Sequence, residues 1–197
     1  MPEPTLLERL VDAGAIKDGH FLLASGRHAA RYVEKFDLLR DPSATSLVCQ
    51  GFTERFQDAN IEVVAGPTTG GILLAFEVGR QLGVPAAYAE RLKDGSDGRE
   101  FRRGTTEFRE EQRILIVDDV LTTGGSIRET LAALRKHPVQ VVGIGLLVDR
   151  SGGRVKFGDI SMQSLLTLDV ETWTPADCPL CAIGVPLTKP GTTTAKI

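Results

Sequence analysis

The chain has 197 residues, 42% hydrophobic and 25% charged, the composition of a soluble globular protein with one sizeable core and room for a small appendage. With 26 acidic against 23 basic residues the formal net charge is -3, so no bulk electrostatic pull favours nucleic acid or a membrane surface. No apolar run approaches the ~20 residues of a membrane span, the first residues lack a signal peptide's layout, and three cysteines (Cys49, Cys178, Cys181) fit a reducing cytoplasm better than a disulfide framework.

In chain order, residues 6–13 read as a short helix with Leu6, Leu7 and Leu10 on one face. "FLLASGRHAARYVEKF" reads as two extended pieces around a turn at Ser25 and Gly26, and 42–57 as a helix with Leu47, Phe52 and Phe56 as core candidates. A regular alternation follows. "IEVVAG" is a buried strand, "ILLAFEVGRQLG" a helix and "PAAYAER" a strand. "RILIVDDV" is a strand, "SIRETLAALRKH" a helix, "VQVVGIGLLVDR" a strand, and "MQSLLTLDVETW" a last strand. Such alternation predicts an α/β domain: a central, mostly parallel sheet with helices on both faces. Ligands of such sheets bind at the carboxyl ends of the strands. The loops "GPTTGG", "DDVLTTGGS" and "DRSGG" all fall there.

The stretch "ILIVDDVLTTGGSIRETL" concentrates the chemistry. A buried strand ends in Asp118 and Asp119. Ser126 and Glu129 stand in a capping-box pattern, so the helix is expected to start at Ser126. Gly124 and Gly125 let several N–H groups converge just before that start, where the helix dipole adds positive charge. A phosphate fits, yet two carboxylates repel phosphate. A ligand carrying hydroxyls a few ångströms from its phosphate reconciles the two, and adjacent ribose hydroxyls suit the aspartates. The nucleotide P-loop is excluded because no glycine-lysine-serine/threonine sequence is present. "GIGLLV" lacks the third glycine of a dinucleotide fingerprint.

"ILIVDDVLTTGGS" resembles the signature of the type I phosphoribosyltransferases, which bind 5-phosphoribosyl-1-pyrophosphate. The resemblance implies that fold for residues 1–197, with a core at about 43–170 and a small hood from 1–42 and 171–197. It implies that Asp118 and Asp119 hold the ribose hydroxyls, that Thr122, Thr123, Gly124, Gly125 and Ser126 cradle the 5-phosphate, and that Val120 and Leu121 belong to the same phosphoribosyl pyrophosphate-binding stretch. "FLLASGRHAARYV", "GPTTGG", "VDRSGG" and the "CPLCAIGVPLTKPG" ending are similar to the orotate branch of the family. That likeness implies orotate contacts from Thr122, Arg150 and Tyr32, and a pyrophosphate turn at Thr68, Thr69 and Gly70. A guanidinium at Arg150 suits a carboxylate. The expected reaction makes orotidine 5'-monophosphate and pyrophosphate, with Mg2+ accompanying the cosubstrate.

The chain departs from the branch at several positions. Ala24 and Gly70 stand where lysines are frequent, and Val33 where an aromatic residue is usual. The polar segment 91–109 is the expected lid, with little that could form a core. The resemblance gives this loop catalytic basic residues and a reach into a neighbouring subunit's site in a homodimer. Here Arg91 takes the place of a lysine, Glu90 that of an arginine, and no histidine follows. Arg91, Lys93 and Asp119 are the catalytic candidates, and Arg99 carries little weight. Cys178 and Cys181 form C-P-L-C, two of the four ligands a zinc site needs; Cys49, His20, His28 or His137 would have to supply the rest. The expectation is a turn with two thiols, and no metal site. Transfer to a purine or another base, and a phosphoribosyl pyrophosphate sensor without turnover, both stay open.

Overall fold

The computed structural model describes residues 8, 11, 14, 16–23, 25–102, 107–168 and 170–190. Most of the expected helix 6–13 and the position of Ala24 lie outside them. The elements in chain order are β1 (Ile16–Leu22), β2 (His28–Val33), α1 (Lys35–Leu39), α2 (Pro42–Arg55), β3 (Val63–Pro67) and α3 (Gly70–Leu82). They continue as β4 (Ala86–Arg91), β5 (Arg99–Phe101), β6 (Gln112–Leu121), α4 (Gly125–Leu134), β7 (Val139–Asp149), β8 (Met162–Thr167), β9 (Thr172–Trp173) and α5 (Pro179–Ala182). Two compact units result, Leu39–Leu168 and a smaller one made of Met1–Leu38 with Asp169–Ile197.

The larger unit carries a six-stranded sheet in the order β5-β4-β3-β6-β7-β8. All its pairings are parallel except β4 with β5. Its central strands are unbroken apolar runs because both faces are covered. β3 is buried at every residue, and Ile114, Leu115, Ile116 and Val117 are fully enclosed. On one face Ile114, Ile116, Ile144 and Leu146 join Ile127, Leu131 and Leu134 of α4 in a single cluster. On the other, strand alternation leaves Gly143 and Gly145 beneath aromatic rings. A Cβ on Gly145 would lie 2.8 Å from the Phe52 ring, and one on Gly143 2.5 Å from the Phe56 ring. These glycines, which the dinucleotide pattern could not place, make room for the two phenylalanines. Gly145→Ala should therefore overpack this face and cost about 1–3 kcal/mol. The midpoint of urea unfolding reads this; an unchanged midpoint would mean the rings have slack.

Several expectations need correcting. α2 ends at Arg55, followed by a 3-10 turn at Gln57–Ala59 rather than continuing to Gln57 as helix. Its start is fixed by Asp41, whose carboxylate accepts from the Ser43 and Ala44 amides at 2.9 and 3.2 Å. Leu47 is not in the core: it is 37% exposed, because Val48, Cys49 and Phe52 take the inward positions of α2. The strand expected over 162–173 is two strands, β8 in the large sheet and β9 paired with β2.

The segment 91–109 is also more structured than a polar lid. Arg91 and Arg99 pair across an antiparallel hairpin, and Phe101 at its end is buried. Phe108 stacks edge-on to Phe101 at 5.2 Å and to His137 at 4.9 Å. Two phenylalanines spaced along an otherwise polar stretch anchor it to the core, while 103–106 lie outside the described residues.

In the smaller unit β1, β2 and β9 form an antiparallel sheet. Ile16, Phe21, Ala29 and Val33 are its buried apolar residues. Arg27 donates to the Thr172 hydroxyl at 2.9 Å, fastening β2 to β9. Trp173, on β9, donates its indole N–H to Glu171. Among the described residues no helix is long and apolar enough to cross a membrane.

Candidate active site

β3, β4, β6 and β7 all run the same way, so Pro67, Arg91, Leu121 and Asp149 end at one edge of the sheet. The candidate residues of the larger unit collect along that edge.

Asp118 and Asp119 are 6% and 4% exposed, an unusual depth for two neighbouring carboxylates. Asp118 is held in place by its surroundings. Its Oδ1 accepts the Asp119 amide at 2.9 Å, and its Oδ2 accepts the Ser126 hydroxyl at 2.6 Å. This overturns the expected capping box. α4 begins at Gly125, its N-cap is Gly124 in the left-handed region (φ 80°), and no side chain caps it. Ser126 donates to Asp118 instead, and Glu129 turns to Arg99. The start of the helix stays uncapped by side chains, so its first N–H groups face the loop.

That loop is built from two directions. Gly124 is needed for its backbone angle and for space: a Cβ there would lie 2.9 Å from Phe157 and 3.0 Å from Val155. Arg128, one turn into α4, donates to the Thr123 carbonyl and sits over the Phe157 ring at 5.5 Å. Thr122 and Thr123 are exposed between these anchors, while Leu121 and Gly124 are buried.

The second turn meets the first. β3 ends at Pro67, Thr68 and Thr69 form the turn with a cis peptide bond between them, and Gly70 opens α3. A Cβ on Gly66 would lie 2.1 Å from the Gly71 carbonyl oxygen, so strand and helix backbones touch here. A Cβ on Gly70 would lie 1.8 Å from Asp119 Oδ2. The Asp119 carboxylate thus rests on Gly70, and Thr68, Thr69 and Gly70 adjoin the aspartate pair.

Arg99 links these parts, and sequence reasoning undervalued it. Its side chain is 3% exposed. It donates to Glu129 at 3.1 Å, to the Thr68 hydroxyl at 2.9 Å and to the Ala89 carbonyl at 2.9 Å. Burial pulls its guanidinium below the usual value, and the charge of Glu129 opposes that pull. Arg99 is therefore a buried brace between the Thr68 turn and α4. Its place in the "REF" alternation, next to a core phenylalanine, is the signal that it points inward.

Arg150 follows β7, and its amide donates to the Leu121 carbonyl at 2.9 Å, which sets it beside the Thr122 loop. Asp149 shapes this turn: buried to 2%, it accepts from the Ser151 amide at 2.6 Å and the Gly153 amide at 3.0 Å. This is the loop "DRSGG" expected at the end of the strand, and its aspartate is what closes the turn. Arg91 and Lys93 are exposed on the hairpin, Arg91 at the end of β4. Tyr32 is on β2 in the smaller unit, its ring 5.6 Å from that of Phe21.

Buried paired carboxylates, an open helix start and a glycine-floored turn suit a ligand with vicinal hydroxyls and more than one phosphate. Comparison with known proteins agrees. Residues 44–176 match the model of the phosphoribosyl transferase domain. The chain is 44% identical over 178 residues to the orotate phosphoribosyltransferase of Pelotomaculum thermopropionicum, covering 90% of this chain and 91% of that one. It is 39% identical over 191 residues to the enzyme of the same name from Caldicellulosiruptor bescii, covering 97% and 98%. The crystal structure of orotate phosphoribosyltransferase from Aeropyrum pernix superimposes with a TM-score of 0.71 at 30% identity, over 83% of this chain and 94% of that one.

Proposed function

The chain belongs to the orotate phosphoribosyltransferases of the phosphoribosyl transferase family, and on that premise we propose how its own residues carry out the transfer. The enzyme moves the 5-phosphoribosyl group of phosphoribosyl pyrophosphate to orotate, releasing pyrophosphate and making orotidine 5'-monophosphate. The observation that carries this reading is the buried Asp118–Asp119 pair at the carboxyl end of β6, immediately before the open start of α4.

Asp118 and Asp119 accept the ribose hydroxyls. Thr122, Thr123, Gly124, Gly125 and Ser126 surround the 5-phosphate with backbone N–H groups and hydroxyls, and Val120 and Leu121 lead the strand into that loop. Thr68, Thr69 and Gly70 receive the pyrophosphate. The bond from the ribose C1 to pyrophosphate oxygen breaks and its electron pair leaves on that oxygen; a ring nitrogen of orotate forms the new bond and gives up its N–H proton, which the departing pyrophosphate takes up. The ribosyl centre is positively charged as this happens. Catalysis is positioning, neutralisation of the departing charge, and exclusion of water. Arg91 and Lys93, both exposed on the hairpin, supply positive charge to the leaving group. We read the active form as a homodimer in which segment 91–109 reaches the neighbouring site, and the two compact units as one catalytic domain working in the cytoplasm.

Magnesium would accompany the cosubstrate. The hard carboxylate oxygens of Asp118 and Asp119 fit a cation that keeps several of its waters. When bound it stabilises the charge gathering on pyrophosphate.

Orotate loss, followed by ultraviolet absorbance with magnesium and phosphoribosyl pyrophosphate, tests the reading. Parallel tubes hold adenine, hypoxanthine, xanthine and uracil. Orotate consumption matched by pyrophosphate release is expected. Binding of phosphoribosyl pyrophosphate with no turnover of any base would replace the enzyme by a sensor. Arg150→Ala should raise KM for orotate about tenfold, the loss of one charge-assisted pair, with a smaller change for phosphoribosyl pyrophosphate. Equal changes for both substrates would remove Arg150 from the base side.

A further inference from the structure

The C-P-L-C turn does not stand alone. His20 within β1, His28 at the start of β2, Cys178 at the N-cap of α5 and Cys181 within that helix converge in the smaller unit. Their four candidate ligand atoms lie within 4.8 Å of one another. Three of the four residues are buried; Cys181 is exposed, but its sulfur turns to the two histidines.

The separations have the size of a tetrahedral site. With metal–nitrogen bonds of about 2.0 Å and metal–sulfur bonds of about 2.3 Å, its edges are about 3.3 Å between nitrogens and about 3.5 Å between nitrogen and sulfur. Here His20 Nε2 and His28 Nδ1 are 3.0 Å apart. Cys178 Sγ is 3.4 Å from His20 Nε2, and Cys181 Sγ is 3.3 Å from His28 Nδ1 and 3.8 Å from His20 Nε2.

Orientation points the same way. His20 Nδ1 is 2.8 Å from the Val185 carbonyl, an acceptor only, so Nδ1 carries the proton and Nε2 turns a lone pair toward the other three groups. Fixing a histidine by a backbone carbonyl on its far nitrogen is the usual support of a metal ligand. The ligand set, two thiolates and two imidazoles with no open position, selects zinc in a structural role.

We propose that His20, His28, Cys178 and Cys181 bind one zinc ion. The site ties the β1–β2 hairpin to the C-terminal segment. The small unit comprises Met1–Leu38 and Asp169–Ile197, and among its described residues few apolar side chains are buried. A unit with so small a core gains much from a metal staple. Sequence spacing hid this site, since C-P-L-C and the two histidines lie more than 140 residues apart, as the separations of 153, 158 and 161 between bonded partners show.

The test uses the full chain purified without a polyhistidine tag. Elemental analysis should find about one zinc per chain. Replacement by cobalt(II) should give the visible bands of tetrahedral cobalt and a near-ultraviolet thiolate-to-cobalt charge-transfer band. Cys181→Ser and His28→Asn should lose zinc on dialysis against a chelator that leaves the unaltered chain loaded. Cys49→Ser, whose sulfur is in α2, should keep it. Zinc far below stoichiometric together with cobalt lacking the charge-transfer band would overturn the proposal, and neither readout depends on a variant folding. A Cys178–Cys181 disulfide in metal-free protein purified under reducing conditions would overturn it too. None of these readouts involves orotate, so the result is independent of the catalytic reading.

Discussion

Gly70→Ala is expected to lower kcat/KM for phosphoribosyl pyrophosphate by about 10- to 150-fold, the value of one hydrogen-bonded charge at 1.5–3 kcal/mol. A methyl group at this position would lie 1.8 Å from Asp119 Oδ2 and 2.9 Å from its Cγ, while Leu39 on the other side is already at 3.2 Å. The carboxylate is the group that must move. It then no longer stands where the proposed ribose hydroxyls need an acceptor. Asp119→Asn removes the charge without the displacement and should bring a loss of the same order. If both act through one contact, the double variant should be little worse than either single variant, which is the mark of coupled residues. Overpacking should also lower stability by about 1–3 kcal/mol, so the kinetics belong at a temperature where the variant is folded. Unchanged kcat/KM in folded Gly70→Ala would show that the Asp119 carboxylate needs no fixed position.

The order of strands and helices in the larger unit is legible in the sequence because its signals are local. Ile114 to Val117 within "RILIVDDV" are apolar without interruption since both faces of β6 are covered, and α4 shows its inward residues Ile127, Leu131 and Leu134 at helical spacing. The loop chemistry is legible for the same reason: Asp118, Asp119 and the T-T-G-G-S run are neighbours in the chain. What stays hidden depends on partners from elsewhere. Ser126 and Glu129 match a capping box, yet their bonds go to Asp118 and Arg99 because burial there makes those acceptors and donors more demanding than a helix start open to solvent. Leu47 looks equivalent to Phe52 in composition, but inward direction in α2 is decided by the sheet beneath it. Gly143 and Gly145 imitate a nucleotide motif and turn out to be clearance for Phe56 and Phe52. His20 and His28 carry no local pattern at all; only the fold brings them to Cys178 and Cys181.

Arg99 is the position where that gap between composition and placement should have the largest energetic effect. In the sequence it is one arginine among several in a charged stretch. In the structure its guanidinium is enclosed, with four acceptor groups around it: Glu129, the Thr68 hydroxyl and carbonyl, and the Ala89 carbonyl. Arg99→Met keeps most of the aliphatic stem and removes every donor. Glu129 then loses its buried partner, and the Ala89 carbonyl, on a residue with no exposed surface, loses a donor. Removing one side of such a pair is expected to lower stability by about 3–5 kcal/mol, which for a chain of this size lowers Tm by roughly 6–20 °C. Arg99→Lys keeps the charge with a single nitrogen and should fall between, since one ammonium cannot span acceptors on three elements. Below its transition, Arg99→Met should also show a raised KM for phosphoribosyl pyrophosphate with a smaller change for orotate, because the Thr68 turn is what the guanidinium holds. Thermal unfolding followed by circular dichroism reads the first effect, and steady-state kinetics with each substrate varied reads the second. A Tm within a degree or so of the unaltered chain, well inside the shift expected even from 1 kcal/mol, would mean that Glu129 and Thr68 are satisfied without Arg99, and the brace between hairpin, turn and helix would have to be abandoned.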